Sequence, residues 1–211
     1  MQITDERLRE YITSEIIPLY LNFDKAHSVS HAQDVIKNSL ELAKNYDVNA
    51  DMVFAVAAFH DTGLRFGREN HEITSAQVLR DDSFINSFFS AHQIEIMAQA
   101  IEDHRASSGR EPRSIYGRIV SEADRIIDPE TVIGRTVQYG LAHYPELDRD
   151  GQYLRMCDHL DNKYSEHGYV KLWLDTGKNA ENLKKLRGIM NDKDALKELF
   201  DKYYECERSA K

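Results

Sequence analysis

The most hydrophobic stretch of the chain covers residues 50–64 and reads ADMVFAVAAFHDTGL. Every residue from 52 to 59 is apolar, which predicts a helix buried on all sides, and Asn49 is suited to cap it. His60 and Asp61 follow without a spacer. This pattern fits either a capped helix end or a functional site, because ionisable groups at the end of a buried helix are costly unless they are paired or bind a metal ion.

Elsewhere before residue 128, apolar residues recur at steps of three and four, which predicts amphipathic helices. The loops between them are GLRFGREN and SSGREP, both of turn-forming composition. In order, we predict a first helix capped by Thr4 and ending near Pro18, a second after Ser30, the buried third, and further helices over 71–80, 91–104 and 114–127.

The remainder of the chain also predicts helices. Asp128, Pro129 and Glu130 together form a typical helix start, and Pro145 ends that helix. Further helices are predicted over 153–166 and 183–190, and a last one is capped by Asn191. We find neither an alternation typical of strands nor a long linker. We therefore predict a single all-α domain over 1–211, with a core at about 27–128 and a helical extension at about 129–211.

Composition narrows the possible partners. The chain has 211 residues, 41% of them hydrophobic, with a net charge of −9, which argues against a nucleic-acid-binding surface. No apolar run approaches the roughly 18 residues of a membrane span. Cys157 and Cys206 form no spaced pair, and the charged first residues lack an apolar signal core. We expect a cytoplasmic protein without a nucleic-acid or membrane partner, and leave its oligomeric state open.

Helix phase separates the histidines into inward and outward ones. On the predicted helix over 91–104, His92 and His104 lie about 120° apart around the axis. His104 falls on the apolar side with Met97 and Ile101, whereas His92 falls on a polar side with Glu95. We therefore predict that His104 points inward and that His92 lies at the surface.

Two more ionisable residues share apolar stripes. His31 lies in register with Val35, and Asp124 lies in register with Val120. A single histidine on such a stripe is usually a hydrogen-bonded core residue. Several buried ionisable groups together are costly, however, and a shared divalent metal removes that cost, because neutral imidazole and carboxylate are its ligands.

The other histidines are weaker candidates. His27 stands four residues before His31, but Ser28 and Ser30 are suited to cap the helix, which leaves His27 outside it. We keep His27 as a candidate for contact with the substrate or with a metal ligand. The histidines of the extension read as surface or packing residues: His143, His159 and His167.

The ordered set of these residues resembles the HD-domain superfamily of metal-dependent phosphohydrolases over about residues 27–128. The segments that carry the resemblance are His31 in SHAQDV, His60-Asp61 in FHDTG, His71 in NHEITSAQVL, His104 in IEDHRASSG and Asp124 in EADRIID. The residues that follow His60-Asp61 differ from those of the guanosine polyphosphate hydrolases, and the paired-His and Gly-Tyr-Pro signature of cyclic dinucleotide phosphodiesterases is absent from the sequence.

The resemblance implies an all-helical fold around one or two divalent ions (Mn, Fe, Mg, Zn, Ni or Co) and hydrolysis of phosphate esters or anhydrides by metal-activated hydroxide. Asp61 would bridge the two ions. The implied ligands are His31, His60, Asp61 and Asp124 for one ion, and Asp61, His71 and His104 for the other. We predict that the catalytic residues are Asp61, His104 and Arg105.

A phosphorylated substrate needs positive charge near these ligands. Arginine suits bidentate contacts to phosphate, and Arg105 is our first candidate. Any single arginine could equally be an exposed charge at a helix end. The group consists of Arg65, Arg68, Arg105, Arg110, Arg113 and Arg125.

The leading hypothesis is hydrolysis of a small phosphorylated metabolite or nucleotide. Two alternatives stay open. The first is a di-iron oxygenase, because an HD relative with that activity uses a similar ligand set. The second is a regulatory module that keeps the metal without turnover.

Overall fold

The computed structural model describes residues 5–24, 27–105, 109–125, 127–174 and 177–209. Within these ranges the regular structure is helical and contains no strand, so the all-α prediction is confirmed. The chain divides into two compact units, Met1–Arg125 and Ile126–Lys211. The single domain predicted over 1–211 stays a prediction. None of the described helices is long and apolar enough to cross a membrane.

The first unit contains seven α-helices among its described residues. Between α1 and α2 the chain forms a π-helix, Ile12–Ile16, and a 3₁₀ helix, Ile17–Asn22; a second 3₁₀ turn, Thr62–Phe66, precedes α4. The α-helices are α1 (Glu6–Tyr11), α2 (Val29–Ala43), α3 (Ala50–Phe59), α4 (His71–Asp81), α5 (Ser83–Phe88), α6 (Ala91–Glu102) and α7 (Ile115–Ala123).

Helix α3 lies at the centre of the first unit, as the sequence predicted. All residues from 52 to 59 are buried, and α3 packs against α2, α6 and α7. The Asn49 side chain accepts hydrogen bonds from the amides of Asp51 and Met52, so the predicted cap is confirmed. Because every face of α3 is covered, the residues at its C-terminal end, His60 and Asp61, lie in the interior.

Several predicted boundaries in the first unit are wrong. Thr4 lies outside the described residues, and Asp5 supplies the cap hydrogen bond of α1. Pro18 lies within the first turn of the 3₁₀ helix, where its missing N–H costs little. Helix α2 follows Ser28, so Ser30 lies inside it.

Other differences concern short elements and helix ends. Helix α5 was not predicted, and a 3₁₀ turn occupies part of the predicted loop over 63–70. Helix α6 ends at Glu102 and α7 ends at Ala123, each before its predicted end. The shorter helices place His104 and Asp124 beyond the regular turns.

The second unit contains four helices: α8 (Pro129–His143), α9 (Arg149–Tyr164), α10 (Lys178–Asn191) and α11 (Lys193–Ser209). The Asp128 side chain caps α8 as predicted. Helices α9 and α10 begin earlier than predicted, and Asp192, not Asn191, accepts hydrogen bonds from the first amides of α11. The core of this unit includes Ile133, Met156, Leu160, Leu186 and Phe200.

Candidate metal centre

The first unit brings together the six side chains that the resemblance implied as ligands. They form two groups, and within each group the potential ligand atoms lie within 4.8 Å of one another. One group consists of His31, His60 and Asp124, and the other of Asp61, His71 and His104. The described residues therefore offer two adjacent positions that could hold a metal ion.

Helix ends position most of these side chains. His60 directly follows α3, Asp124 directly follows α7, His71 is the first residue of α4, and His104 stands two residues after α6. Adjacent residues within a helix point about 100° apart. At Asp61 the backbone leaves the helical region, with φ −113° and ψ 5°, which lets consecutive side chains converge.

Asp61 connects the two groups. Its Oδ2 atom lies 3.2 Å from His60 Nε2 and 3.7 Å from His31 Nε2. Its Oδ1 atom lies 3.3 Å from His71 Nε2 and 3.6 Å from His104 Nε2. One carboxylate thus directs one oxygen toward each group, which is the arrangement that a bridging ligand needs.

The backbone fixes the tautomer of three of the histidines. In each, Nδ1 lies within hydrogen-bond distance of the carbonyl oxygen three residues earlier. A carbonyl only accepts, so Nδ1 carries the proton and Nε2 is left as the metal-ligating nitrogen. The three contacts are His60 to Ala57 at 2.8 Å, His71 to Arg68 at 3.1 Å and His104 to Ile101 at 2.6 Å.

The atoms facing each other in the first group need a proton or a cation between them. His31 Nε2 lies 3.3 Å from His60 Nε2 and 3.1 Å from Asp124 Oδ1. Imidazole lone pairs and carboxylates repel one another at these distances unless a proton or a cation lies among them. Nitrogen and carboxylate donors in this number suit Zn, Mn, Fe, Co or Ni, so the side chains fit a divalent ion.

The carboxylates of the centre favour such a charge. Burial by itself raises the pKa of Asp61, but the charge of His60 and hydrogen bonds from the surrounding histidines hold it far below its ordinary value. Burial likewise opposes ionisation of Asp124, whose pKa is nevertheless lowered by a hydrogen bond with His31. Both carboxylates are therefore anionic at neutral pH.

The pKa values of the histidines show the same attraction. Burial lowers the pKa of His60 and of His104, but the nearby Asp61 outweighs it and raises both overall. A hydrogen bond with Asp61 is the main cause that raises the pKa of His71. The carboxylates of the centre attract protons to the histidines, and a metal ion would neutralise the same negative charge.

Tyr20 supports the His60–Asp61 turn, and sequence reasoning missed it. The ring is fully buried, and its hydroxyl donates to the carbonyl of Ala58 at 2.9 Å and accepts from the amide of Asp61 at 3.3 Å. Tyr20 precedes the turn by about forty positions, with no motif linking them. Local periodicity therefore gave no signal for this contact.

Gly63 is needed because of a close approach of two segments. Its backbone does not require a positive φ, since the described residues with positive φ are Asn70, Gly67, Gly109 and Gly177. A Cβ atom at Gly63 would lie 2.4 Å from the carbonyl oxygen of His71. Gly63 thus permits the 3₁₀ turn to approach the start of α4, and its amide donates to Ser75 Oγ at 2.8 Å.

The candidate residues at the edge of the centre are mostly paired. Arg105 Nη1 lies 3.3 Å from Glu72 Oε2, and the Arg105 side chain is 41% exposed. His27 lies outside α2 as predicted, with Nδ1 2.8 Å from Asp24 Oδ1, and Arg68 bonds the other oxygen of Asp24.

The remaining arginines are also engaged or exposed. Arg113 bonds Glu102 and Asp103, Arg125 donates to Ser121, and Arg65 lies over the ring of Phe66. Arg110 is exposed. Arg105, which directly follows His104 and is itself paired with Glu72, stays the predicted phosphate-binding candidate.

The histidines that were predicted to lie elsewhere do so. His92 is exposed on α6, which confirms its predicted position. His143, His159 and His167 are exposed in the second unit. None of the four belongs to either group of potential ligands among the described residues.

An all-helical unit with a His/Asp centre placed for divalent metal is typical of metal-dependent phosphohydrolase-type proteins. The family model of the HD domain matches residues 29–127, and these residues include all six grouped side chains. This region of the chain belongs to the HD-domain superfamily. Comparison with curated proteins and with solved structures gives no significant match.

Proposed function

We propose that the protein is a metal-dependent phosphohydrolase that acts on a small phosphorylated metabolite or nucleotide. The observation that supports this function best is the position of Asp61, with one carboxylate oxygen facing each group of histidines. Hydrolysis of a phosphate ester at neutral pH requires an activated water and a stabilised phosphoryl oxygen. A centre with two adjacent cation positions meets both requirements.

Each side chain has a defined role in this proposal. His31, His60 and Asp124 would hold the first ion, His71 and His104 would hold the second, and Asp61 would contribute to both. Divalent metal held there would supply an activated water, because a divalent ion lowers the pKa of such a water toward about 7.

The chain's own residues orient these ligands and the substrate. The carbonyls behind His60, His71 and His104 fix the orientation of the rings. Arg105, whose guanidinium is partly exposed beside the second group, contacts a phosphate oxygen of the substrate.

A panel of phosphomonoesters, phosphodiesters and nucleoside triphosphates tests the proposal. Purified protein is treated with chelator, reloaded with Mn²⁺, Fe²⁺, Co²⁺, Ni²⁺, Zn²⁺ or Mg²⁺, and assayed for phosphate or pyrophosphate release. We expect turnover that requires metal and stops with chelator. A panel that stays blank with every metal would contradict the proposal and favour a binding module. Oxygen uptake by the iron-loaded protein would instead indicate the oxygenase.

A further inference from the structure

Glu72 lies beside the second group without belonging to it, with contacts to His71 and to Arg105. It follows His71 in the first turn of α4, and its side chain is 16% exposed. Its Oε2 atom lies 3.6 Å from His71 Nδ1 and 3.3 Å from Arg105 Nη1. Because Arg105 directly follows His104, this carboxylate connects the two segments that carry the second pair of histidines.

His71 needs such support more than the other two oriented histidines. Its Nδ1 contact to a carbonyl is 3.1 Å, compared with 2.8 Å for His60 and 2.6 Å for His104. Its side chain is 10% exposed, whereas those of His60 and His104 are 0% and 3% exposed. The backbone holds His71 less closely, and the Glu72 carboxylate lies 3.6 Å from the same nitrogen, which is an electrostatic contact beyond hydrogen-bond distance.

The packing of α4 on α6 does not depend on this contact. At a different place the same two helices are joined by Arg80, which lies 3.0 Å from Glu95 and 2.9 Å from Glu102. That bridge involves none of the grouped histidines. Glu95 and Glu102 are therefore carboxylates that join two helices. Glu72, by contrast, lies beside a proposed metal ligand.

We propose that Glu72 is a positioning residue for the second metal position. Its negative charge attracts the proton on Nδ1 of His71, and its ion pair with Arg105 ties the start of α4 to the segment of His104. The inference rests on the proposed function, since it requires a second ion. Groups that support a metal ligand in this way typically contribute about 10- to 100-fold in metal affinity. Loss of the Glu72 charge should weaken the second ion by that factor and leave the first unchanged.

Cobalt titration of chelator-treated protein tests this role. Binding is followed by calorimetry and by the visible absorption of Co²⁺, in wild type, in Glu72→Gln and in Glu95→Gln as the matched control. We expect two ions in wild type and in Glu95→Gln. In Glu72→Gln we expect a second ion bound about 10- to 100-fold more weakly, an unchanged first ion and an altered absorption of the second ion only.

Each other outcome is decisive. Equal affinities in Glu72→Gln and wild type, equal weakening of both ions, or the same loss in Glu95→Gln would overturn the positioning role. A wild type that binds one ion overturns the inference together with the two-ion centre. A wild type that binds two ions but hydrolyses nothing overturns the proposed hydrolysis alone.

Discussion

The two compact units bury different kinds of side chain. Among the described residues, the first unit buries three histidines, Asp61 and Glu122 beside its apolar core, whereas the buried polar residues of the second unit are the neutral Thr136 and Gln152. Buried ionisable groups lower the stability of a fold unless they are paired or bound to a cation. The comparison shows that the first unit buries most of these groups at one place, where the histidines converge on Asp61, whereas Glu122 belongs to neither group of potential ligands.

The histidines show the same difference. In the first unit four of them face one another around Asp61, and in the second unit the three histidines are exposed. Residue type alone does not separate the two sets. Helix phase and neighbouring carboxylates do, so the second unit serves as an internal reference for the first.

The largest expected effect comes from removing the charge that joins the two groups. Asp61→Asn keeps the shape of the side chain but removes the anion that contacts both groups of histidines. We expect loss of at least one bound ion and a fall in phosphoester hydrolysis by several orders of magnitude. Circular dichroism should show near-normal helical content.

Two carboxylates serve as references for that variant. Asp124→Asn should lose metal less completely, because Asp124 lies in one group only. Asp47→Asn, at an exposed position, should behave as wild type. Near-wild-type hydrolysis by Asp61→Asn with excess metal would refute the mechanism.

The next effect separates the two cation positions. His71→Ala and His104→Ala each remove a ligand from the second group only, so each variant should bind one ion instead of two. Metal content measured by plasma mass spectrometry checks this, with the rate of hydrolysis measured in parallel. If the ion count and the rate do not change in either variant, the centre holds a single ion.

A core substitution in the second unit tests whether metal binding depends on the first unit alone. Phe200 is fully buried in the second unit, and Phe200→Ala should destabilise that unit by about 3–5 kcal/mol in denaturant unfolding. The number of bound ions should stay the same, because all six proposed ligands belong to the first unit.

The matched change in the first unit is Phe59→Ala, which is also fully buried but directly precedes His60. This variant should lose both stability and metal. Equal loss of metal in the two variants would show that the units do not act separately.

The stability of the metal-free protein should depend on pH near neutrality. The folded pKa of His71 is raised above 6.5, mainly by a hydrogen bond with Asp61. The resulting stabilisation is complete below that value and is lost as the pH rises through the folded pKa. The thermal midpoint of chelated protein should therefore fall between about pH 6 and about pH 9.

Bound metal should reverse this trend, because its ligands are the neutral imidazoles.

In the second unit, burial raises the pKa of Tyr164 from 10.0 to about 12. The contribution of Tyr164 to stability is therefore lost only as the pH rises above 10.0. Tyr164→Phe should remove that alkaline loss and leave the change near neutrality. A chelated protein with a flat profile between about pH 6 and about pH 9 would contradict the account of the centre.

The smallest effect is expected at His92, which is exposed on α6. His92→Ala should change the free energy of unfolding by less than about 0.5 kcal/mol and leave the metal content unchanged. Loss of metal in this variant would mean that the outward histidine of α6 takes part in the centre.

The parts of the site that the sequence predicted are those with a local signal. The apolar run over 52–59 predicted the burial of α3, and the phase of α6 predicted which of its histidines faces inward. The side chains that gather around Asp61 lie on helix faces or helix ends that point toward the interior. Their roles as metal ligands stay a prediction.

The parts that the sequence did not predict depend on tertiary contacts. Tyr20 reaches the centre from a distant segment, and Glu72 and Ser75 make their contacts from α4, and no periodicity marks these contacts. The six-residue helix α5 is too short for a clear periodic pattern. The early end of α6 places His104 outside the helix, where its Nδ1 donates to Ile101.

The most direct test of the central claim is anomalous X-ray diffraction from crystals of wild-type protein soaked in Mn²⁺. We predict two manganese peaks per chain on either side of the Asp61 carboxylate, separated by about 3.5–4 Å. One should lie within bonding distance of His31, His60 and Asp124, and the other within bonding distance of His71 and His104. A single peak, or manganese bound away from Asp61, would contradict a two-ion centre bridged by that residue.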